Sequence, residues 1–408
     1  MKSQTYNYKN LLQKLPAEVA VLFEVFRSEV RLVGGCVRDL LLEREVNDFD
    51  FATPFSTQKI TEILQKNQIK AIPTGEKFGT ITAVINKKNF EITTLRKDNE
   101  TDGRHCVPQF VGDYSLDAAR RDFTINALYL DANGIVYDYF NGISDLKKSH
   151  VKFIGDAHQR IEEDYLRILR FFRFSCKYSQ KLDRKGLEAC FAQKENLKKL
   201  SRERIRGEFI KIINSPQKQR NIAILKVLKK KKIAAEIFSP KLDIKALERL
   251  YKIEENCFVE TNSMVKLASL FWSKNLNANF FGEICATNIE KKYFANATKH
   301  RQNLDIAALK QGLAFYEKSH IVDFYFLALA KSKKEIDFSA VKKNLDYLNN
   351  FLAPEFPLKG EDIMALGYSK KQIGEAISCA KKFWAQSDFK VSKNALIDFV
   401  RKCHSVLG

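Results

Sequence analysis

The sequence predicts an α+β protein, with a head of short strands and helices followed by a remainder that is helical throughout. Three observations carry this. In the first third, apolar runs of strand length alternate with glycine and asparagine turns. From about Glu162 onward apolar residues recur every three to four positions, as at Ile161, Tyr165, Ile168, Leu169 and Phe172, and strand signals stop. Finally, 408 residues with 45% hydrophobic content exceed what one small core needs, so several domains are expected.

Taken in order, residues 31–33 read as a strand running into the Gly34-Gly35 turn, and residues 36–42 as the helix after it. Residues 80–85 and 90–95 form a predicted hairpin around the polar turn Asn86-Lys87-Lys88-Asn89. Residues 125–130 and 135–137, separated by Asp131-Ala132-Asn133-Gly134, form a second. Further on, residues 228–237 carry the helical period, Pro216 and Pro240 interrupt it, and residues 353–357 are the clearest late linker. The run Lys229-Lys230-Lys231-Lys232 reads as a solvated helix face, with phosphate contact as the alternative.

Lys and Arg number 69 against 49 Asp and Glu, a net charge of +20. Such a surface attracts polyanions, phosphate backbones above all, although a generally lysine-rich surface gives the same number. The composition excludes a disordered or collagenous chain. Eight cysteines, at 36, 106, 176, 190, 257, 285, 379 and 403, show neither C-x-x-C spacing nor a histidine at zinc-finger distance. They read as small, reduced core residues of a cytoplasmic protein. There is no apolar leader and no run of eighteen apolar residues, so a soluble protein without a membrane partner is expected.

Three elements of the head fit one chemistry. Two glycines between strand and helix, Gly34 and Gly35, let backbone N–H groups approach a triphosphate, and Arg38 can pair with a phosphate one turn later. In Asp48-Phe49-Asp50-Phe51, alternate residues of a strand share a face, so the carboxylates converge while the rings turn to the core. Adjacent carboxylates repel unless a cation lies between them, and Mg²⁺ is the natural one because it takes oxygen ligands and bridges phosphates. Two such ions would activate a hydroxyl and neutralise a leaving pyrophosphate. Third, Arg120 and Arg121 open the apolar run of residues 122–127, read as a strand, and can reach a phosphate and a ribose hydroxyl.

These motifs, with Glu163-Asp164-Tyr165-Leu166-Arg167-Ile168-Leu169-Arg170-Phe171-Phe172-Arg173-Phe174 after them, resemble the tRNA nucleotidyltransferase/poly(A) polymerase family, the class II branch of the DNA polymerase β superfamily. The resemblance is close over about the first 210 residues and looser beyond. It implies a polymerase-β-like head at 1–145 with a mixed or antiparallel-leaning sheet, a helical neck at 146–215, a helical RNA-binding body at 216–350 and a helical tRNA-binding tail at 351–408. It also implies that Gly35, Arg38 and Arg121 contact the nucleotide and that Asp48 and Asp50 bind Mg²⁺. Asp164 and Arg167 would recognise the base, with Arg170 and Arg173 lining the same pocket. Glu91 is the candidate third carboxylate.

The base-reading role agrees with hydrogen-bond chemistry. Asp164 and Arg167, three apart on a helix, would be neighbours on one face. A carboxylate only accepts and a guanidinium only donates, which suits the amino donor and ring acceptors of cytosine and of adenine. Uracil and guanine would oppose acceptor to acceptor, a penalty of roughly 1–3 kcal/mol or more.

Within the family, Thr74-Gly75-Glu76-Lys77-Phe78-Gly79-Thr80 looks like the CCA-adding pattern of the bacterial type, with Phe78 where histidine is usual. Asp138-Tyr139-Phe140-Asn141-Gly142 departs from the usual sequence of the hinge between head and neck. The full-length loop of residues 96–112, containing Asp102-Gly103-Arg104-His105, favours addition of A as well as C. Without any His-Asp dipeptide an appended phosphohydrolase module is not expected, and residues 357–367 resemble the tail segment of bacterial members. The expected partners are CTP, ATP and the acceptor and TΨC arms of tRNA, with no stable protein partner evident. Poly(A) polymerase, an A-adding-only enzyme and a non-catalytic RNA-binding protein are the alternatives.

Overall fold

The computed structural model describes residues 3–101, 106–239, 241–271, 278–299 and 305–407. The chain folds as two compact units, Met1–Ile237 and Phe238–Gly408.

The first unit opens with β1 (Gln4–Asn7), α1 (Ala17–Phe26), β2 (Arg31–Val33), α2 (Gly35–Leu41), β3 (Asp50–Thr53) and α3 (Thr57–Lys66). It continues through β4 (Lys70–Gly75), β5 (Thr80–Ile85), β6 (Lys88–Thr94), β7 (Arg96–Thr101), β8 (Cys106–Phe110) and α4 (Tyr114–Ala119) to β9 (Leu128–Leu130) and β10 (Ile135–Asp138). Helices α5 (Gly142–Lys147), α6 (Ala157–Glu163), α7 (Arg167–Tyr178), α8 (Arg184–Ala192), α9 (Arg202–Ile213) and α10 (Lys218–Lys230) complete it.

Eight strands form one mixed sheet in the order β1-β10-β9-β2-β3-β6-β5-β4, while β7 and β8 pair separately. Only β3 and β6 run parallel, with α3, β4 and β5 between them in the chain, and their register sets Asp50 opposite Glu91. The β5–β6 hairpin is tighter than its sequence suggested. Its loop is Asn86-Lys87 alone, both left-handed at φ 51° and 64°, the signature of a type I′ turn whose twist matches the flanking strands. One face of the sheet packs Phe51, Ile81 and Ile92 against Leu22 and Phe23 of α1 and Ile60 and Leu64 of α3. Each such buried side chain contributes about 1.5–3 kcal/mol. The opposite face, with Val33, Ala52 and Tyr129, is covered by Ala118 of α4 and by Ile154.

The structure departs from the sequence reading in several places. Residues 125–127 are not strand: Thr124–Asn126 form a 3-10 turn in which Thr124 Oγ1 donates to Asp145 and Asn126 Nδ2 to Asp122. Those side chains offer the backbone a local alternative to the sheet ladder. Arg120 and Arg121 therefore follow a helix, α4, rather than open a strand. The helical region begins at Gly142 rather than near Glu162. Residues 138–142 make a tightly bonded turn, since the buried Asp138 carboxylate accepts from the N–H groups of Phe140, Gly142 and Ile143 at 2.9–3.1 Å. A Cβ on Gly142 would lie 2.3 Å from the Thr124 carbonyl oxygen, so only glycine fits there. The strands β1 and β4 are edge strands the sequence did not announce. Pro73 within β4 is tolerated because an edge strand has a free hydrogen-bonding side. The 96–112 segment is the β7–β8 hairpin, and Asp102-Gly103-Arg104-His105 lie outside the described residues.

The second unit is helical in all its described secondary structure: α11 (Ile244–Cys257), α12 (Ser263–Phe271), α13 (Ala278–Glu283), α14 (Asn288–Lys299), α15 (Ile306–Gly312), α16 (Lys318–Lys331), α17 (Phe338–Asn350), α18 (Gly360–Met364), α19 (Lys370–Gln386) and α20 (Lys393–Leu407). Apolar faces of α11, α12 and α16 bury Leu247, Leu250, Leu267 and Leu327. The expected linker is irregular chain between α17 and α18, after which Ile363, Trp384, Leu396 and Val400 form a separate small core. Lys229, Lys230 and Lys232 are exposed and Lys231 is half-buried, which fits a solvated face and a phosphate-contacting one alike. No disulfide joins the described cysteines; Cys36, Cys176 and Cys190 are buried, whereas Cys379 is exposed rather than in a core.

Candidate active site

Strand β2 delivers the chain to Gly34, whose φ of +79° belongs to the region glycine tolerates. A Cβ there would stand 3.3 Å from Arg121 Nη1, so the missing side chain is what lets that guanidinium lie against the turn. Gly34, Gly35, Asp48, Asp50, Arg121, Asp164 and Arg167 all border one cavity of about 980 Å³ within the first unit. Motifs more than 100 residues apart in sequence thus meet in one place.

Arg38 also borders the cavity, but it is buried and four of its five N–H donors are engaged. Nε and Nη2 reach Asp39 at 3.0 and 3.1 Å, Nη2 reaches the Tyr178 hydroxyl at 2.6 Å, and Nη1 bonds Asn126. The Tyr178 hydroxyl in turn donates to Asp39. Arg38 thereby clasps α2 to the end of α7.

Asp50 opens β3, Asp48 precedes it in irregular chain, and Phe49 and Phe51 turn to the core as their alternation demanded. Glu91 stands beside Asp50 on the same face of the neighbouring strand. Among the described residues none of these three carboxylates takes part in a hydrogen bond or ion pair. Loss of hydration, then Glu91, raise the pKa of Asp50 to about 6; Arg121 opposes them and Asp48 adds to them. Uncompensated negative charge of this kind suits a divalent cation. Among the described residues no group of three or more His, Cys, Asp or Glu side chains is placed to hold a metal ion. An ion of the Mg²⁺ type needs none, because it is held by one or two carboxylates with substrate phosphates and water.

Asp117, on α4, is a residue the motif reading passed over. It is 1% exposed and accepts from Arg120 Nε at 2.8 Å, Arg121 Nη2 at 2.9 Å and the Tyr129 hydroxyl at 2.7 Å. Burial alone would raise its pKa, but Arg121 and Arg120 hold the carboxylate well below the usual range. Its i,i+3 and i,i+4 spacing to the two arginines was the available signal, hidden by reading those arginines as the opening of a strand.

Asp164 is not on a helix with Arg167. It lies in the break between α6 and α7 with extended φ and ψ of −155° and 105°. Its Oδ1 accepts from the Leu166 N–H at 3.1 Å and its Oδ2 from Arg204 Nη2 at 2.8 Å. Neither the expected helical face nor an Asp164–Arg167 ion pair forms. Arg167 opens α7 instead, bonding Glu163, the Arg160 carbonyl at 2.7 Å and the Arg120 carbonyl at 3.0 Å. Arg170 pairs with Asp122 at 2.6 Å, Arg173 with Glu208 at 3.0 Å and Lys177 with Asp39 at 3.6 Å. The four cations follow one face of α7, each facing an acid, and Arg160, Lys211 and Arg38 share three of those acids. Phe78, by contrast, is exposed at a turn, its carbonyl accepting from Arg96.

The family model described as the poly A polymerase head domain matches residues 30–152, and one described as a probable RNA and SrmB-binding site of polymerase A matches residues 181–244. The mitochondrial CCA tRNA nucleotidyltransferase 1 of Mus musculus is 34% identical over 98% of this chain and 93% of its own length. The chain belongs to the CCA tRNA nucleotidyltransferase family. A second member, the CCA-adding enzyme of Lactobacillus johnsonii, is 38% identical over 53% of this chain and 54% of its own length. In three dimensions the CCA-adding enzyme of Bacillus stearothermophilus, solved in complex with CTP, matches 96% of this chain and 98% of its own with a TM-score of 0.75. At 19% identity that likeness establishes the fold: an α+β nucleotidyltransferase head followed by a helical remainder. Within this nucleotidyltransferase no described helix is long and apolar enough to cross a membrane.

Proposed function

We propose that this nucleotidyltransferase adds CMP, CMP and AMP to the 3′ end of tRNA, consuming CTP and ATP and releasing pyrophosphate. The observation that carries the reading is the meeting, in one cavity, of a glycine turn with an arginine against it, the unpaired carboxylates of Asp48 and Asp50, and the side chains of Asp164 and Arg167 with their opposite hydrogen-bond polarity. In the reaction the ribose 3′ oxygen loses its proton and bonds to the α-phosphorus. The bond to the β-phosphate bridging oxygen breaks, and the electron pair leaves with pyrophosphate.

The residue roles follow from placement. The Gly34-Gly35 backbone and Arg121 bind the triphosphate, Arg121 being fixed by Asp117 and Tyr129. Asp48 and Asp50 hold Mg²⁺, with Glu91 beside them as the third acid. Bound there, Mg²⁺ supplies a lower hydroxyl pKa and neutralises charge on the departing phosphates. Arg38 supports the glycine turn and contacts the nucleotide through its remaining N–H. Asp164 and Arg167 read the base, while Arg170 and Arg173 wall the pocket.

Hydrogen-bond counting supports the base readers. A carboxylate accepts about four hydrogen bonds, and two are taken on Asp164. A guanidinium donates five, and the contacts of Arg167 leave Nε–H and one Nη2–H, two donors for two ring acceptors. The head, neck, body and tail of this enzyme divide at 145, 215 and 350. The basic helices take the acceptor and TΨC arms through shape and phosphate contacts. Free thiols among the described residues support a reducing compartment, the cytoplasm; localisation of a tagged chain tests this against the mitochondrion named for the Mus musculus relative.

The deciding experiment is incubation of the purified chain with tRNA ending at its discriminator base, Mg²⁺ and labelled CTP and ATP. A product three nucleotides longer is expected. Long A-tails, addition of A alone or no incorporation would each overturn the assignment.

A further inference from the structure

We propose that Arg204 is the positioning residue for base selection: it holds the Asp164 carboxylate in the orientation that accepts from an amino group and rejects a carbonyl. The proposal rests on the reading that Asp164 and Arg167 choose the base.

The backbone does not fix Asp164, because the residue lies in the break between α6 and α7, extended and outside either helical ladder. Two contacts orient its side chain. The Leu166 N–H, two residues on, restrains Oδ1 at 3.1 Å but moves with the same turn. The other contact comes from a separate element, with Arg204 Nη2 donating to Oδ2 at 2.8 Å across the cavity from α9. Helix α9 is a firm support. Ile205, Phe209, Ile212 and Ile213 are buried in the core, and Glu208 is bound to Arg173 of α7 at 3.0 Å.

The two base readers are held unequally. Arg167 has three separate tethers: the Glu163 carboxylate, the Arg160 carbonyl and the Arg120 carbonyl. Asp164 has one tether from outside its own turn. A carboxyl group rotates easily about its Cβ–Cγ bond, and a rotated or relaxed carboxylate no longer sets an acceptor against O4 of uracil. Selectivity built on an opposed acceptor pair survives only while that acceptor cannot turn away. Removing the Arg204 tether should therefore cost discrimination more than it costs nucleotide binding.

The test measures kcat/KM for CTP and for UTP on one tRNA in the wild type, Arg204→Ala, Arg204→Gln, Arg204→Lys, Asp164→Asn and the double variant Arg204→Ala/Asp164→Asn. Melting curves accompany each, and Arg204→Gln, which keeps most of the side-chain volume, serves if Arg204→Ala does not fold. Arg204→Ala or Arg204→Gln is expected to raise the UTP/CTP ratio about tenfold, the loss of one charge-assisted hydrogen bond. Arg204→Lys, retaining a cationic donor, should restore most of the wild-type ratio. The double variant should go no further than Asp164→Asn alone, since Arg204 acts through Asp164. Two results overturn the proposal while leaving base reading by Asp164 intact. In one, the ratio stays within about twofold of wild type in both Arg204→Ala and Arg204→Gln although Asp164→Asn shifts it. In the other, CTP and UTP efficiencies fall in equal proportion with weaker tRNA binding, as loss of a phosphate contact would cause. A ratio unmoved by Asp164→Asn itself refutes base reading at that residue, and the proposal with it.

Discussion

Replacing Asp117 tests whether the triphosphate end of the cavity is organised as its contacts indicate. The carboxylate is 1% exposed and serves two guanidiniums whose side chains are only 16% and 21% exposed. Asp117→Ala leaves both arginines without their shared counter-charge and the Tyr129 hydroxyl without its acceptor. Removing one partner of a buried ion pair costs about 3–5 kcal/mol, and the partial solvent access of the arginines argues for the lower end, about 3 kcal/mol. For a folding unit of this size that is a fall in Tm of roughly 6–12 °C. Asp117→Asn keeps the volume and one acceptor and should lose about half as much.

The functional consequence follows from Arg121 rather than from the lost charge alone. Once its Nε and Nη2 are released, Nη1 is no longer directed at the Gly34 turn. The triphosphate is common to both substrates, so KM for CTP and for ATP should rise by the same factor, about tenfold for some 1.4 kcal/mol. The assay is initial-rate kinetics with each nucleotide on matched tRNA ends, beside a thermal melt. A Tm and both KM values unchanged from wild type would refute the argument. So would an effect confined to one nucleotide, because it would place Asp117 at the base and not at the phosphates.

Asp48→Ala and Asp50→Ala should each abolish incorporation of CTP and ATP together while tRNA binding, measured by filter retention, changes about twofold or less, since RNA affinity comes from the basic surface. tRNA affinity should fall linearly in log K against log salt, checked by titration from low to high salt, because several Lys and Arg side chains displace counterions. Acid should destabilise the chain through Asp117 and Asp122. Burial would raise both, yet Arg121 with Arg120, and Arg170 with Asn126, hold them below their ordinary range. A folded-state pKa below the unfolded value of about 3.9 gives stability that is complete above about pH 5 and is lost as pH falls through the folded values. Melting curves from pH 7 to pH 3 should show that loss, with a smaller one in Asp122→Asn.

What the sequence disclosed was local, and what it hid was either a backbone break or a contact between distant elements. The glycine turn was legible because strand, two glycines and helix follow one another within a dozen residues. The acidic pair was legible because Phe49 and Phe51 alternate with it, and both rings are indeed buried. Asp164 was misplaced for a physical reason. Ile161, Ile168 and Leu169 are all fully buried, so the helical period runs on across the break between α6 and α7 although the backbone does not. Hydrophobic spacing records which side chains face the core and is blind to an interruption that keeps them there. The 3-10 turn at Thr124–Asn126 was misread likewise, because its apolar neighbours suit a strand while its polar side chains bond locally. Arg204 and Tyr178 left no mark at all. Their partners lie 40 and more than 130 residues away, and nothing in a single chain announces such a pairing.

The distribution of charge explains how a chain of net charge +20 can still discriminate between nucleotides. If the cavity itself carried the surplus, any triphosphate would be held tightly whatever its base, and binding would be uniform rather than selective. Instead every cation of α7 faces an acid: Arg167 faces Glu163, Arg170 Asp122, Arg173 Glu208 and Lys177 Asp39, three of these acids being shared with Arg160, Lys211 and Arg38. Each guanidinium is thereby fixed in place and partly neutralised, so it contributes direction more than attraction. The three carboxylates at Asp48, Asp50 and Glu91 stay unmatched, and that local deficit of positive charge is what a divalent ion with its phosphates would fill. Further positive charge lies outside the cavity on exposed lysines such as Lys230 and Lys232. Attraction for a polyanion and discrimination between bases are thus carried by different residues, and selectivity should survive conditions that weaken the hold on RNA.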